Sequence, residues 1–330
     1  MEIRHATDAD IPGIVELLKL SLGQSLMPKS EAYWRWKHID NPFGRSPVLV
    51  AEDNGSIIGV RAFMRWDWRL GGKKFHSIRA VDTATHPDHQ GKGIFKKLTL
   101  ALVDLCRKDG VDFIFNTPNA QSKPGYLKMG WVEAGNLPIS VKISRPFNLA
   151  RNAVLTPAPY VTPKYNMHKQ IDGEAVQSFV ERCASQSGDL ITTDISARYL
   201  VWRYRYVPVV QYTALIDNDN EKILGLLMAR AKDGKYGREL RITDLFLSNE
   251  SDGRSLMSQL GELEKSWQTD YTTVSGAVGS YAIGIMRKYS VYYKLNRGPS
   301  VTIRDLNFGD LGTLSNFKNW SPTLGDLELF

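Results

Sequence analysis

The chain of 330 residues reads as an α/β (α+β) fold built from two tandem domains of similar design. Three features carry this expectation. A β-branched strand over Ile78–Thr85 runs through a polar, glycine-bearing turn into a helix marked by Ile94, Leu98, Ala101, Leu102 and Leu105. A hairpin signal at Asn54-Gly55 joins two strands upstream of it. Spaced residues of the first half recur in the second at a constant offset, the mark of an internal repeat.

Glu2–Arg4 suits a short first strand. Asp8-Ala9-Asp10-Ile11-Pro12 starts a helix, with Asp10 at the N-cap and Pro12 in the first turn. Ile11, Ile14, Val15, Leu18 and Leu22 give its apolar face. An aromatic helix follows over Ser30–Lys37, closed by Asn41-Pro42. Val48–Glu52 and Ile57–Trp66 are the hairpin strands, and Gly71-Gly72 turns the chain into the strand that carries Asp82. After the helix expected to begin near Gly91, Phe113–Asn116 reads as a short buried strand, Thr117-Pro118-Asn119 as a breaker, and a helix bearing Tyr126 comes next. Pro146, Pro157, Pro159 and Pro163 interrupt a stretch without sustained period, so residues 146–164 read as a linker between domains at 1–145 and 165–330.

The turn after Thr85 carries the chemistry. Pro87 blocks a continued ladder, and the helix that follows exposes free N–H groups at its positive end, which suits a diphosphate. Gly91 and Gly93 let the backbone approach closely, and Lys92, Lys96 and Lys97 add positive charge. A P-loop would need Ser or Thr where Gly93 stands, and a Rossmann turn would need Gly where Lys96 stands. A short glycine motif by itself is also compatible with a plain surface turn.

Gln90-Gly91-Lys92-Gly93-Ile94-Phe95 resembles the Gln/Arg-x-x-Gly-x-Gly/Ala loop of the GNAT superfamily of N-acetyltransferases, with Phe95 where the family has a small residue. Downstream, Phe113–Asn116 and Tyr126-Leu127-Lys128-Met129-Gly130-Trp131 resemble its second motif, a strand ending in Asn and a helix carrying Tyr-x-Lys-x-Gly-aromatic. The resemblance covers about residues 1–145. It implies GNAT-like domains, each a mixed, mostly antiparallel sheet flanked by helices, and acetyl-coenzyme A as cofactor. Gln90, Gly91, Lys92, Gly93, Ile94 and Phe95 would hold the pyrophosphate, the backbone of Thr83, Ala84 and Thr85 the pantetheine, with Asn116 and Ser122 beside it. Tyr126 is implied as the general acid for the departing thiolate. Asp82, an acid in an apolar strand where burial raises a carboxyl's pKa, is the first candidate base. A carboxylate at Phe330 and water are alternatives, and His86 and His89, which flank the loop, cap the turn or touch phosphate. No metal ligand set is expected.

Ser30, Trp36, Pro42 and Gly59 recur as Ser196, Trp202, Pro208 and Gly225 at an offset of 166. Arg79, Asp82, Gly91 and Leu98 recur as Arg241, Asp244, Gly253 and Leu260 at 162. On this alignment Asp252 replaces Gln90, Ser255 replaces Gly93 and Met286 replaces Tyr126, so the second copy is expected to bind no cofactor, since an aspartate repels a pyrophosphate. It would instead wall the acceptor cleft.

Composition bounds the partners. Hydrophobic residues at 42% and charged ones at 23% fit a globular chain, and no apolar run approaches the ~20 residues of a membrane span. Met1–His5 lacks a signal-peptide core, so a cytoplasmic location is expected. Cys106 and Cys183 sit in separate halves as free thiols. The charge of +7 is uneven: residues 1–165 hold 23 Lys and Arg against 15 Asp and Glu, residues 166–330 hold 19 against 20. Without a basic–aromatic stripe, a small phosphorylated cofactor explains this better than nucleic acid. The function expected is N-acetyl transfer to a small-molecule primary amine. Tyr33, Trp34, Trp36, Trp66 and Trp68, on elements that line the acceptor side in this family, suit an amino sugar. The rivals are a non-catalytic acyl-coenzyme A-binding tandem protein and an aminoacyl-tRNA-dependent transferase. The sequence sets no oligomeric state.

Overall fold

Long alternating strands and amphipathic helices assemble into two sheets in the computed structural model, which describes residues 1–23, 27–156, 159–167, 169–186, 188–220, 222–276, 281–295 and 298–326. The first part of the chain supplies β1 (Glu2–His5), α1 (Ile11–Leu22), α2 (Glu31–His38), β2 (Val48–Asp53), β3 (Ser56–Leu70), β4 (Lys73–Thr85), α3 (Ile94–Lys108), β5 (Phe113–Asn116), α4 (Lys123–Lys128) and β6 (Val132–Asn136). Next come β7 (Ile139–Ile143), α5 (Pro146–Val154), α6 (Glu174–Ser185), β8 (Thr192–Thr193) and α7 (Ala197–Leu200). The chain continues with β9 (Thr213–Asp219), β10 (Lys222–Gly234), β11 (Gly237–Leu247), α8 (Arg254–Ser266), β12 (Tyr271–Ser275), α9 (Tyr281–Tyr289), β13 (Tyr293–Leu295), β14 (Ser300–Asp305) and α10 (Leu311–Ser315).

The first sheet runs β1-β2-β3-β4-β5-β14-β6, with β8 added along β3; the second runs β13-β7-β12-β11-β10-β9. Each is antiparallel except for one parallel pair, β4–β5 in the first and β11–β12 in the second. The repeat read from sequence thus reappears as two sheets with one pairing pattern. Two strands lie across the expected division between 145 and 165. β7 pairs with β12 and β13, while β14 fills the slot between β5 and β6. The sheets have exchanged strands within one chain. At the crossing, the Leu137 N–H donates to the Pro299 carbonyl at 2.9 Å. A Cβ on Gly298 would stand 1.7 Å from the Leu137 carbonyl oxygen, so only glycine fits there.

Counterparts in the repeat also meet face to face. Ser30 and Ser196 cap α2 and α7 alike, each hydroxyl accepting an N–H, from Tyr33 and Tyr199, at 3.1 Å. Trp36 and Trp202 stack at 4.6 Å, and each indole N–H donates to the other residue's carbonyl, at 2.7 and 2.8 Å. This is the self-complementary contact of a two-fold interface, made inside one chain. It corrects the expected role of the aromatics: Trp36, Trp66 and Trp68 are buried between the first sheet and the second half, and Trp34 packs under α1. The Trp66 indole N–H donates to Thr193 Oγ1 at 2.9 Å.

The start of the proline-bearing linker is helical rather than irregular, and Pro157 lies outside the described residues. Pro146 does not break the chain; it occupies the first turn of α5, where its missing N–H is harmless. Asn148 and Asn152 on that helix donate to Asp270 Oδ1 and the Tyr236 carbonyl at 2.7 and 3.1 Å. Cys106 is buried, Cys183 half-buried, and burial pushes both thiols up to about 12. No helix among the described residues is long and apolar enough to cross a membrane.

Gly298→Ala should lower the unfolding free energy by about 1–3 kcal/mol, as overpacking does, and shift the urea midpoint down. Gly261→Ala in α8, where an added Cβ meets nothing, should hold or raise it. Equal midpoints for Gly298→Ala and the parent protein would mean that the crossing has room to spare.

Candidate active site

The site begins with a break in the β3–β4 ladder. Register slips between Arg61 and Ala62, and Asp82 is the extra residue, held in the left-handed region at φ 39°. On the other side, β4 and β5 pair only through Ser77–Phe113, Ile78–Ile114 and Arg79–Phe115. Beyond Arg79 the strands diverge and a cleft of about 1010 Å³ opens between them.

Most of the residues singled out from sequence meet there. Thr83 and Thr85 line it from β4, Asn116 from β5, and Gln90, Gly91, Gly93, Ile94 and Phe95 from the turn and the start of α3; Ser122 and Tyr126 complete it. Ala84 and Lys92 do not line it. The Ala84 side chain packs under α1, because alternation turns it to the opposite face, and Lys92 points to solvent. His86 accepts the Asp88 N–H at 3.3 Å and so caps the turn, whereas His89 reaches the cleft. Phe330 lies outside the described residues.

Helix α3 starts at Ile94, three residues later than expected, because Gly93 is its N-cap in the left-handed conformation, φ 75°. Space above Gly91 and Gly93 is open, since an added Cβ would meet nothing within 4 Å. The N–H groups of the first turn have no intrahelical acceptors and face this opening. A phosphate-bearing cofactor fits such a cradle. In the second half the matching cap is Gly253, φ 72°, which pairs with Gly93 rather than with Gly91 as the offset suggested; the second loop is two residues shorter. Its space is filled. A Cβ on Gly253 would lie 2.2 Å from Ile285 of α9, and Asp252 is paired with Arg254 at 3.0 Å.

Tyr126 is buried against Trp131 and Phe95, with ring centroids at 5.2 and 5.8 Å. Its hydroxyl accepts a hydrogen bond from Arg61 Nη2 at 2.7 Å. Asp82 turns the other way: Lys37 Nζ and His38 Nε2 both lie 2.8 Å from its Oδ2. Burial would raise this carboxyl, but the Lys37 charge and the His38 contact outweigh it and hold it well below the usual carboxylate range. A carboxylate so held is a poor proton acceptor. Sequence reasoning passed over Arg61, Lys29 and Lys37, which also line the cleft. The one available signal was Arg61, a charge within the β-branched run of β3.

Among the described residues every one that lines the cleft falls between Leu22 and Tyr126, so the described part of the second half does not wall it as expected. It braces the cleft from behind. Thr302 on β14 donates its hydroxyl to Asn116, and Arg79 bridges the Asp326 carbonyl at 2.8 Å and Thr117 at 3.1 Å.

Residues 2–134 match the family described as Acetyltransferase (GNAT) domain. An L-amino acid N-acyltransferase of Escherichia coli is 28% identical over 163 residues, 45% of this chain and 90% of the relative. An L-methionine sulfoximine/L-methionine sulfone acetyltransferase of Salmonella typhimurium is 29% identical over 164 residues, 45% of this chain and 91% of the relative. The structure of a GCN5-related N-acetyltransferase from Anabaena variabilis shares the fold, with a TM-score of 0.67, 14% identity, and coverage of 93% of this chain and 73% of that one.

Lys37→Met should cost about 3–5 kcal/mol at neutral pH by stranding the buried Asp82 charge. Pairing depresses the Asp82 carboxyl, so its stabilising contribution is present above about pH 4 and lost as pH falls below it. Unfolding free energies of parent and variant should therefore converge in acid; a constant gap down to pH 2 would contradict this.

Proposed function

We propose that this chain, whose residues 2–134 form a GNAT acetyltransferase domain, moves an acetyl group from acetyl-coenzyme A to the primary amine of a small molecule. The observation that carries the reading is one cleft holding both the open α3 N-terminus and a buried tyrosine hydroxyl. Bound acetyl-coenzyme A would supply the acyl group as a thioester. Gln90–Phe95 would grip its pyrophosphate and the parted edge of β4 its pantetheine, with Asn116 and Ser122 alongside. Tyr126 is the proton donor to the leaving thiol. Asp82 orients Lys37 as a fixed negative charge, and the amine sheds its proton to water.

The acceptor follows from charge. Lys29, Lys37, Arg61 and Lys96 line the cleft, and Asp82, already paired, is the one acid among the described lining residues. An amine that also carries an anionic group fits this balance, as in the amino acids named for the two bacterial relatives. The amino sugar inferred from the aromatics loses its basis, since of those five residues Tyr33 alone lines the cleft.

Titration calorimetry should give one acetyl-coenzyme A site per chain, abolished by Gly93→Asp and kept in Ser255→Asp. Tyr126→Phe should cut turnover ~10²–10⁴-fold with little change in cofactor affinity. An α-amino acid should exceed its own amide by about tenfold or more in kcat/KM. Two equivalent sites, or none, would overturn the cofactor reading; preference for the amide or for glucosamine would overturn the acceptor reading.

A further inference from the structure

Arg61 is 0% exposed, and among the described residues no carboxylate lies within ion-pair distance of it. Its Nε and Nη1 find no hydrogen-bond partner, and Nη2 donates to Tyr126 Oη at 2.7 Å. Three rings hold the guanidinium: those of Phe63, Tyr126 and Phe95 lie 4.7, 5.4 and 5.7 Å from its central carbon. A buried cation without an anion is costly, and an anion formed beside it would relieve that cost.

We propose that Arg61 is a positioning residue that makes Tyr126 a proton donor and receives the phenolate left behind. The inference rests on the acetyltransferase reading above. Arginine has no acceptor, so the Tyr126 oxygen must accept from it and the phenol's own proton must point elsewhere. Among the described residues the protein offers that proton no acceptor, and Tyr126 lines the cleft. When Tyr126 gives the proton to the departing sulfur, its O–H bond breaks, an S–H bond forms, and the phenolate stays beside Arg61 as an ion pair. The proton shed by the amine restores the phenol through solvent. A charge set in place beforehand is worth most where charge develops. Phe95, the residue that departs from the family's small side chain, helps seal this pair from water. In the second half the counterparts of Arg61 and Tyr126, Leu227 and Met286, are both buried in one apolar cluster, so the pair is absent as a unit.

A double-mutant cycle on the full chain tests this. Arg61→Met should lower kcat ~10–100-fold with KM and calorimetric affinity for acetyl-coenzyme A within about twofold. In a Tyr126→Phe background the same change should cost less than about threefold. Arg61→Lys, which keeps the charge, should recover part of the rate. In the ligand-free protein labelled at tyrosine ¹³Cζ, the resonance that Tyr126→Phe removes should shift in Arg61→Met. Equal losses in both backgrounds, or an unmoved resonance, would overturn the assignment while leaving acetyl transfer standing. No turnover by the unmodified chain on any amine would overturn both.

Discussion

The exchange of β7 and β14 is the constraint on which the rest of the molecule depends. Each sheet needs a strand between its parallel pair and its outer edge, and each takes it from the distant part of the chain. For the first sheet this means that β5, one lip of the cleft, has its free edge covered by residues nearly two hundred positions away. Three successive N–H groups after β14, those of Leu306, Asn307 and Phe308, converge on the Asp112 carbonyl at 2.9–3.1 Å and lock β5 at its start. Once the strands are exchanged the halves cannot drift apart, and the reciprocal Trp36–Trp202 contact becomes available as a dry, self-complementary seam.

Within that frame the cleft treats two buried charges in opposite ways. Asp82 sits at the strained bulge with its charge matched by Lys37 and His38. Arg61, on the neighbouring strand and directed to the other face, is surrounded by rings and one neutral hydroxyl. A matched pair fixes shape, because removing either partner exposes the other to a medium that solvates it badly. An unmatched charge shapes energy instead. It is poorly satisfied at rest and better satisfied when an opposite charge appears beside it. The two residues thus place a matched and an unmatched charge on opposite faces of a single ladder.

Much of this was legible in the residues. The strand–turn–helix around Gln90–Gly93 and the short strand ending at Asn116 follow from local pattern, because period, turn chemistry and capping are local physics, whereas Tyr126 was singled out by the family resemblance. The repeat was visible through Trp36 and Trp202, but their mutual hydrogen bonds were not, since a spacing of 166 says nothing about contact. β7 and β14 are five and six residues long, and no pattern in so short a strand tells which sheet will hold it. The tryptophans of β3 looked like ligand contacts because a seam between halves and a sugar platform have the same composition. The two-residue slip at Gly253 came from counting identities where backbone conformation, a left-handed cap in both halves, is what recurs. Ile285 closing that cap lies outside any loop motif, so the filled second cradle could be read only in three dimensions.

The position of β14 also bears on how the protein is made. Synthesis is vectorial, yet the strand that completes the first sheet is translated nearly two hundred residues after β5, long after the cleft residues between Leu22 and Tyr126 have left the ribosome. Until residues 300–305 emerge, β5 and β6 each present a bare edge, the kind of surface on which neighbouring nascent chains can pair. Loop closure over that distance makes the docking of β14 a slow step. A chain cut short before that strand leaves β5 and β6 without their common neighbour, so the architecture couples completion of the sheet beside the cleft to the arrival of residues 300–305.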